Sequence, residues 1–226
     1  VSERIYTITV PPGWARLELG QDVDAQVESL VARLTTGGAR DSAPLVRRRV
    51  ARDLRALVDE AAGKGALDLL VPVARVEGLT IPASIMATLV TVPATHASQE
   101  DVLLGIAARD SAAKPLAVGD QVALRTVTRR DVTGSLATAV AATEAELTSA
   151  GAPAGPLAQQ VLDADVEPAV GAQSRHVRYL LAVPGRPRQF LTLTLAVLEP
   201  ADDPDAELAD ALTELADAMV STLRWV

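Results

Sequence analysis

The sequence predicts an α+β fold, a largely antiparallel sheet of about six strands flanked by helices. Three observations carry that expectation. Apolar and polar residues alternate from His176 to Val183, Pro184-Gly185 follows, and a strand-like run resumes from Phe190 to Leu198, so 174–183 and 188–198 read as a hairpin. Residues 67–76 and 79–92 are two further β-rich runs around Glu77-Gly78, close enough together to pair in the same way. Leu208, Leu212, Leu215, Met219 and Thr222 or Leu223 then recur at helical spacing over 204–224. Strands with one apolar face and a helix with one apolar stripe bury those surfaces against each other.

Taken in order, Arg4 to Val10 is rich in β-formers and reads as a strand turned by Pro11-Pro12-Gly13, and Trp14 to Leu19 reads as a short second strand. The period then changes. Val23, Val27, Leu30, Val31 and Leu34 define a helix over 22–35 that Gly37-Gly38 ends. A second helix over 44–62 has Asp41 or Ser42 as its cap and Pro44 in its first turn, and its stripe is Val46, Val50, Leu54, Leu57, Val58 and Ala61. Pro72 and Pro82 have no N–H for a ladder and belong at strand ends, edges or bulges. Ser98-Gln-Glu-Asp101 starts a short helix through Arg109, and 119–128 is another strand. Residues 131–172 read as a helical and loop insertion within a single domain of 1–226, with Ser149 to Pro156 a loop by composition. Asp203 is the expected cap of the last helix, so the acidic run from Asp202 to Glu207 reads as helix-start chemistry rather than a cation loop.

Composition narrows the function. Of 226 residues 49% are hydrophobic but only 2% aromatic, so the core is aliphatic. A net charge of −8 argues against general nucleic-acid binding, which needs cations to neutralise phosphates. The absence of cysteine removes disulfides, thiolate metal sites and thiol nucleophiles. No apolar run has the length of a membrane span, and no leader pattern opens the chain. Cytoplasmic location is the default expectation; a removed leader stays open because the chain begins at Val1. No Gly-x-Ser-x-Gly, phosphate loop, dinucleotide fingerprint or paired-histidine zinc motif occurs, so no catalytic residue, metal or cofactor is expected.

Two groups of side chains remain as candidate binding residues. From Arg40 to Arg55 there are six arginines against Asp41 and Asp53, and Arg48, Arg52 and Arg55 share one helical face. That 47–55 face can grip a carboxylate- or phosphate-bearing partner, or it is a solvated surface partly neutralised by Asp53 and Asp59. The second group is His176 and Arg178, on one strand face opposite Val177, Tyr179 and Leu181. An imidazole beside a guanidinium performs acid–base work if a carboxylate joins them; otherwise the pair is an ordinary surface pair. His96 is expected in a loop.

The chain ends also carry a resemblance. Tyr6 in a first strand followed by Val10-Pro-Pro-Gly-Trp14, the hairpin turn at Val183-Pro184-Gly185, and the closing Ser221-Thr-Leu-Arg-Trp225 together resemble PsbP-like proteins. The chain is similar, too, to actinobacterial proteins of this shape. The resemblance covers about a third of the chain through short motifs. It implies an antiparallel sheet flanked by helices, a role in binding or assembly, and no transferable catalytic set.

The expected function is a non-catalytic protein-binding or assembly module, with a protein partner at the 47–55 face and a monomeric or weakly dimeric state. The alternatives are a small-ligand binder and, third, a cofactor-free enzyme using paired carboxylates. Trp14 and Trp225 are expected to come together where the termini meet.

Overall fold

The computed structural model describes residues 4–20, 22–35, 43–76, 79–93, 98–131, 173–199 and 207–226. Outside them lie the predicted insertion from 132 onward, His96, the Gly37-Gly38 stop, the Asp41 and Ser42 caps, the Glu77-Gly78 turn and the Asp203 cap.

Chain order among the described residues is β1 (Tyr6–Thr7), β2 (Trp14–Glu18), α1 (Val23–Leu34), α2 (Ala43–Gly63), β3 (Ala66–Pro72), β4 (Arg75–Val76), β5 (Leu79–Thr80), β6 (Ala83–Thr91), α3 (Gln99–Arg109), β7 (Lys114–Val118), β8 (Gln121–Asp131), β9 (Gln173–Ala182), β10 (Gln189–Glu199), α4 (Glu207–Ser221) and β11 (Arg224–Trp225). Seven strands form one antiparallel sheet in the order β2-β3-β6-β10-β9-β8-β7, so the fold is α+β as the sequence predicts. Both predicted hairpins pair: β9 lies on β10, and β3 lies on β6 with the small β4–β5 ribbon at its tip.

Four readings need correction. The sheet gains a seventh strand, β7, whose Pro115 and mostly exposed side chains hid its β character; it is an edge strand, where a missing N–H is tolerated. The predicted first strand over 4–10 contracts to Tyr6–Thr7 and pairs with β11 instead of joining the main sheet. The last helix ends at Ser221, and the tail becomes that partner strand. Its buried face is Ala209, Leu212, Thr213, Ala216, Met219 and Val220, turned from the predicted stripe so that Leu208 is exposed. That face mixes small and large side chains, and burying it against the sheet leaves Leu208 outside.

The sheet has two unlike faces. On the first, Val177, Tyr179, Leu181, Leu191, Leu193, Leu195 and Val197 are fully buried against α4 and the N-terminal segment, each apolar side chain contributing roughly 1.5–3 kcal/mol. Tyr6 stands opposite Trp225, and Trp14 and Trp225 both belong to this core. On the second face α1 and α2 cover only the β2–β3 end, packing Val27, Leu30, Val31, Leu54 and Val58 onto Leu17, Leu69 and Val71. Helix α3 crosses the other end. It starts at the expected Ser98-to-Asp101 segment with a capping box, in which Ser98 Oγ accepts from the Asp101 N–H and Asp101 accepts from the Ser98 N–H. The Gln99 amide ties it to the β9–β10 turn by donating to the carbonyls of Arg186 and Gln189 at 3.2 and 2.8 Å.

Turn chemistry fixes two corners. Gly185 takes a φ of 69° in the β9–β10 turn, which an L side chain rarely adopts. Gly13 has a φ of 84°, and a Cβ there would stand 2.9 Å from the Ala74 Cβ. Its carbonyl accepts from the Val73 and Ala74 N–H groups, so backbone approaches backbone where no side chain fits.

Candidate functional site

Alternation along β8 and β9 sends Arg125, Arg129 and Arg175 to the α4 face, and Arg130, His176 and Arg178 to the other. The two sets have different surroundings. Toward α4, Arg175 is only 4% exposed; its Nε donates to Glu199 at 2.5 Å and its Nη1 to Asp210. Arg129 donates to the second Glu199 oxygen at 3.1 Å. One helical turn pair further along α4, Asp217 accepts from Arg125 and, at 2.7 Å, from the Tyr179 hydroxyl. Burial, then the bond to Asp217 and its charge, push the Tyr179 phenol well above its ordinary range. A matching cluster closes the β2–β3 end, where buried Asp68 accepts two bonds from Arg16 at 2.9 and 2.7 Å and one from Tyr6 at 2.5 Å. Arg16 also lies over the Tyr6 ring, 5.0 Å from its centroid. Every buried side-chain N or O among the described residues has a partner, so these clusters are closed structural clasps.

Among the described residues the second face is open between α2 and α3. A groove of about 450 Å³ lies there. Strand register assembles its floor from four strands: Thr88, Thr192, Leu180 and Leu124 form one row, and Met86, Thr194, Arg178 and Thr126 the next. Val102 and Ile106 of α3 form one wall, Phe190 the buried apolar end, and Lys64 enters from the α2–β3 turn. The row beyond places His176 between Ala196 and Thr128, and the one after that sets Ser174 beside Arg130. The groove thus runs from an aliphatic end to a hydroxyl-rich, cationic one.

His176 lies one register row beyond Arg178 and Thr194, just outside the lining of the groove. Its Nε2 is 3.1 Å from the Ser174 hydroxyl. Burial, and then the positive charges of Arg130, Arg178 and Lys64, hold the imidazole below its ordinary value of 6.5. The structure therefore brings His176 and Arg178 together, as their spacing predicts, and joins them to three hydroxyl-bearing strands. The carboxylate that acid–base work would require does not accompany them among the described residues. Ser174, Thr126, Thr194 and Lys64 were missed by sequence reasoning. Alternation marks the first three as outward-facing, but only strand pairing shows that they face the same space.

The other predicted group lies elsewhere. Arg48, Arg52 and Arg55 share the exposed outer face of α2, around a shallow hollow also lined by Ala51, Ala56 and Asp59. The predicted Arg49–Asp53 pair forms at 3.7 Å and Arg52 also meets Asp53 at 3.3 Å, whereas Arg55 reaches Asp24 of α1 at 3.6 Å instead of the predicted Asp59. Such exposed pairs contribute about 0–1 kcal/mol each. No cluster of His, Asp and Glu suited to a metal ion occurs among the described residues. No helix among them is long and apolar enough to cross a membrane.

No protein-family model, no curated protein and no solved structure matches this chain. Its class rests on its own geometry: an antiparallel α+β sheet with one sealed face and one grooved face.

Proposed function

We propose that this chain is a non-catalytic binding module, and that the groove between α2 and α3 holds a small ligand with an apolar body. One observation carries this reading: a concavity of about 450 Å³ over a sheet whose opposite face is closed. Ligand sites are commonly of about 300–1,000 Å³, mostly apolar, with a few convergent polar groups. Phe190, Val102, Ile106 and Leu180 supply the apolar part. The surroundings of His176 favour binding over catalysis. To accept the Ser174 proton the ring must become a cation, which a carboxylate partner stabilises in serine hydrolases. Arg130, Arg178 and Lys64 oppose that charge instead. The resemblance of the chain ends to PsbP-like proteins supports the same non-catalytic reading.

Filling the groove tests it. Thr194→Trp from the floor and Val102→Trp from the α3 wall are each expected to abolish calorimetric binding of decyl-chain probes. Far-UV circular dichroism and the cooperativity of unfolding should stay unchanged. A panel of such probes that gives neither heat nor thermal stabilisation with the unaltered protein rejects the proposal.

A second reading, a protein partner on the outer face of α2, draws on the Ala51–Ala56 hollow between Arg48, Arg52 and Arg55. An acidic side chain could enter there and meet guanidinium groups on both sides. Combined Arg48→Glu and Arg52→Glu should then abolish co-purification of an acidic partner and leave the groove probes bound; unchanged co-purification rejects this reading.

A further inference from the structure

We infer that the cationic end of the groove is an oxyanion site, so that the ligand is an amphiphile with an apolar body and a carboxylate or phosphate head. The inference rests on the ligand-binding reading above and names the chemical class that the groove selects.

In a chain of net charge −8, the α4 face gives each of its guanidinium groups a carboxylate: Arg125 has Asp217, Arg129 has Glu199, and Arg175 has Glu199 and Asp210. On the groove face, neither Arg130 nor Arg178 has a carboxylate partner among the described residues, and Lys64 has only Glu60, one turn back on α2 and exposed. Cations placed together without counter-charge repel one another, and an anion entering among them relieves that repulsion. Register supplies the neutral donors. Arg178 stands opposite Thr194 on one side and Thr126 on the other, with Thr128 and Ser174 in the rows beyond. Within the groove the Thr126 and Thr194 hydroxyls flank the Arg178 guanidinium and Lys64 shares the lining, a set of donors that suits an oxyanion, and arginine grips carboxylate and phosphate alike through two parallel bonds. The apolar end lies in the same groove, one row from Arg178 at Leu180 and Thr192. Head and body are therefore recognised by adjoining surfaces.

Isothermal titration with four probes below their aggregation limits separates the components: decanoate, decyl phosphate, decanol and inorganic phosphate. Decanoate or decyl phosphate is expected to bind at least tenfold more tightly than decanol. Arg178→Gln should remove that advantage, and Arg33→Gln on the exposed side of α1 should leave both anion and decanol binding unchanged. Whichever of the two decyl anions binds more tightly identifies the head group. In proton NMR, the bound anion should raise the titration midpoint of the His176 ring, a response that decanol does not give. Decanol binding as tightly as both anions, with Arg178→Gln without effect, overturns the oxyanion site and leaves the groove reading intact. Inorganic phosphate binding as tightly as decyl phosphate keeps the anion site and overturns the apolar-body reading. No binding by any probe overturns both.

Discussion

On β9, Arg175 and Arg178 are three residues apart and face opposite sides of the sheet. Arg175 is nearly inaccessible and is held by carboxylates from β10 and α4; Arg178 is exposed between threonines and, with Arg130 and Lys64, acts on the His176 ring. The same residue type is a structural part on one face and a binding group on the other. The difference lies in what crosses above the sheet. Helix α4 brings Asp210 and Asp217, seven residues apart and so on one side of the helix, down onto the arginines of β8 and β9. Helix α3 brings only Val102 and Ile106 to the groove and no acidic side chain. A buried cation without its acid costs several kcal/mol, so the sealed face had to be neutralised. On the groove face Arg178 is exposed, so its charge needs no buried partner.

The strongest test of that contrast is a pair of substitutions. Arg175→Met leaves buried Glu199 with Arg129 alone, and urea unfolding should show a loss of roughly 3–5 kcal/mol. Arg178→Met should change stability by less than about 0.5 kcal/mol. Equal effects would remove the distinction between the faces. Tyr179→Phe comes next: losing its 2.7 Å bond to Asp217 should cost about 1 kcal/mol, since Arg125 still satisfies that carboxylate.

A smaller effect is expected from pH. The folded His176 ring titrates below its ordinary value of 6.5, because burial and the charges of Arg130, Arg178 and Lys64 disfavour its cation. As pH falls, the unfolded chain takes up that proton first. The stabilising contribution is thus complete above about 6.5 and is lost as pH drops through the folded value. Unfolding midpoints measured between pH 7.5 and 5 should fall less steeply in His176→Gln than in the unaltered protein, and parallel slopes would contradict the crowding of cations around the ring. Smallest of all, Arg55→Gln breaks the exposed pair with Asp24 and should cost less than about 0.5 kcal/mol by the same unfolding assay. A larger loss would mean that the α1–α2 layer depends on that pair.

Much of the fold was legible before any coordinates. The β9–β10 hairpin announced itself by alternation and Pro184-Gly185, the α3 start by Ser98 and Asp101, and α1 and α2 by stripes that do bury Val27, Leu30, Leu54 and Val58. Strand β7 did not, because an edge strand with Pro115 has no inward apolar run to display. Half of the candidate site was legible as well. His176 and Arg178 share a face by simple parity, whereas Lys64 lies more than a hundred residues away and arrives through the α2–β3 turn. The carboxylates that distinguish the two faces were equally hidden, since nothing local links Arg175 to Asp210.

What the sequence determined alone was periodicity: which residues of each strand or helix point the same way, and hence that a sheet must be covered by amphipathic helices. Parity and helical spacing are local properties, set by backbone geometry within a few residues. What tertiary structure decided was occupancy, namely that α4 with its two aspartates seals one face while, among the described residues, α3 and α2 leave a gap over the other. Charge compensation depends on which distant segments meet, and no local pattern encodes that meeting.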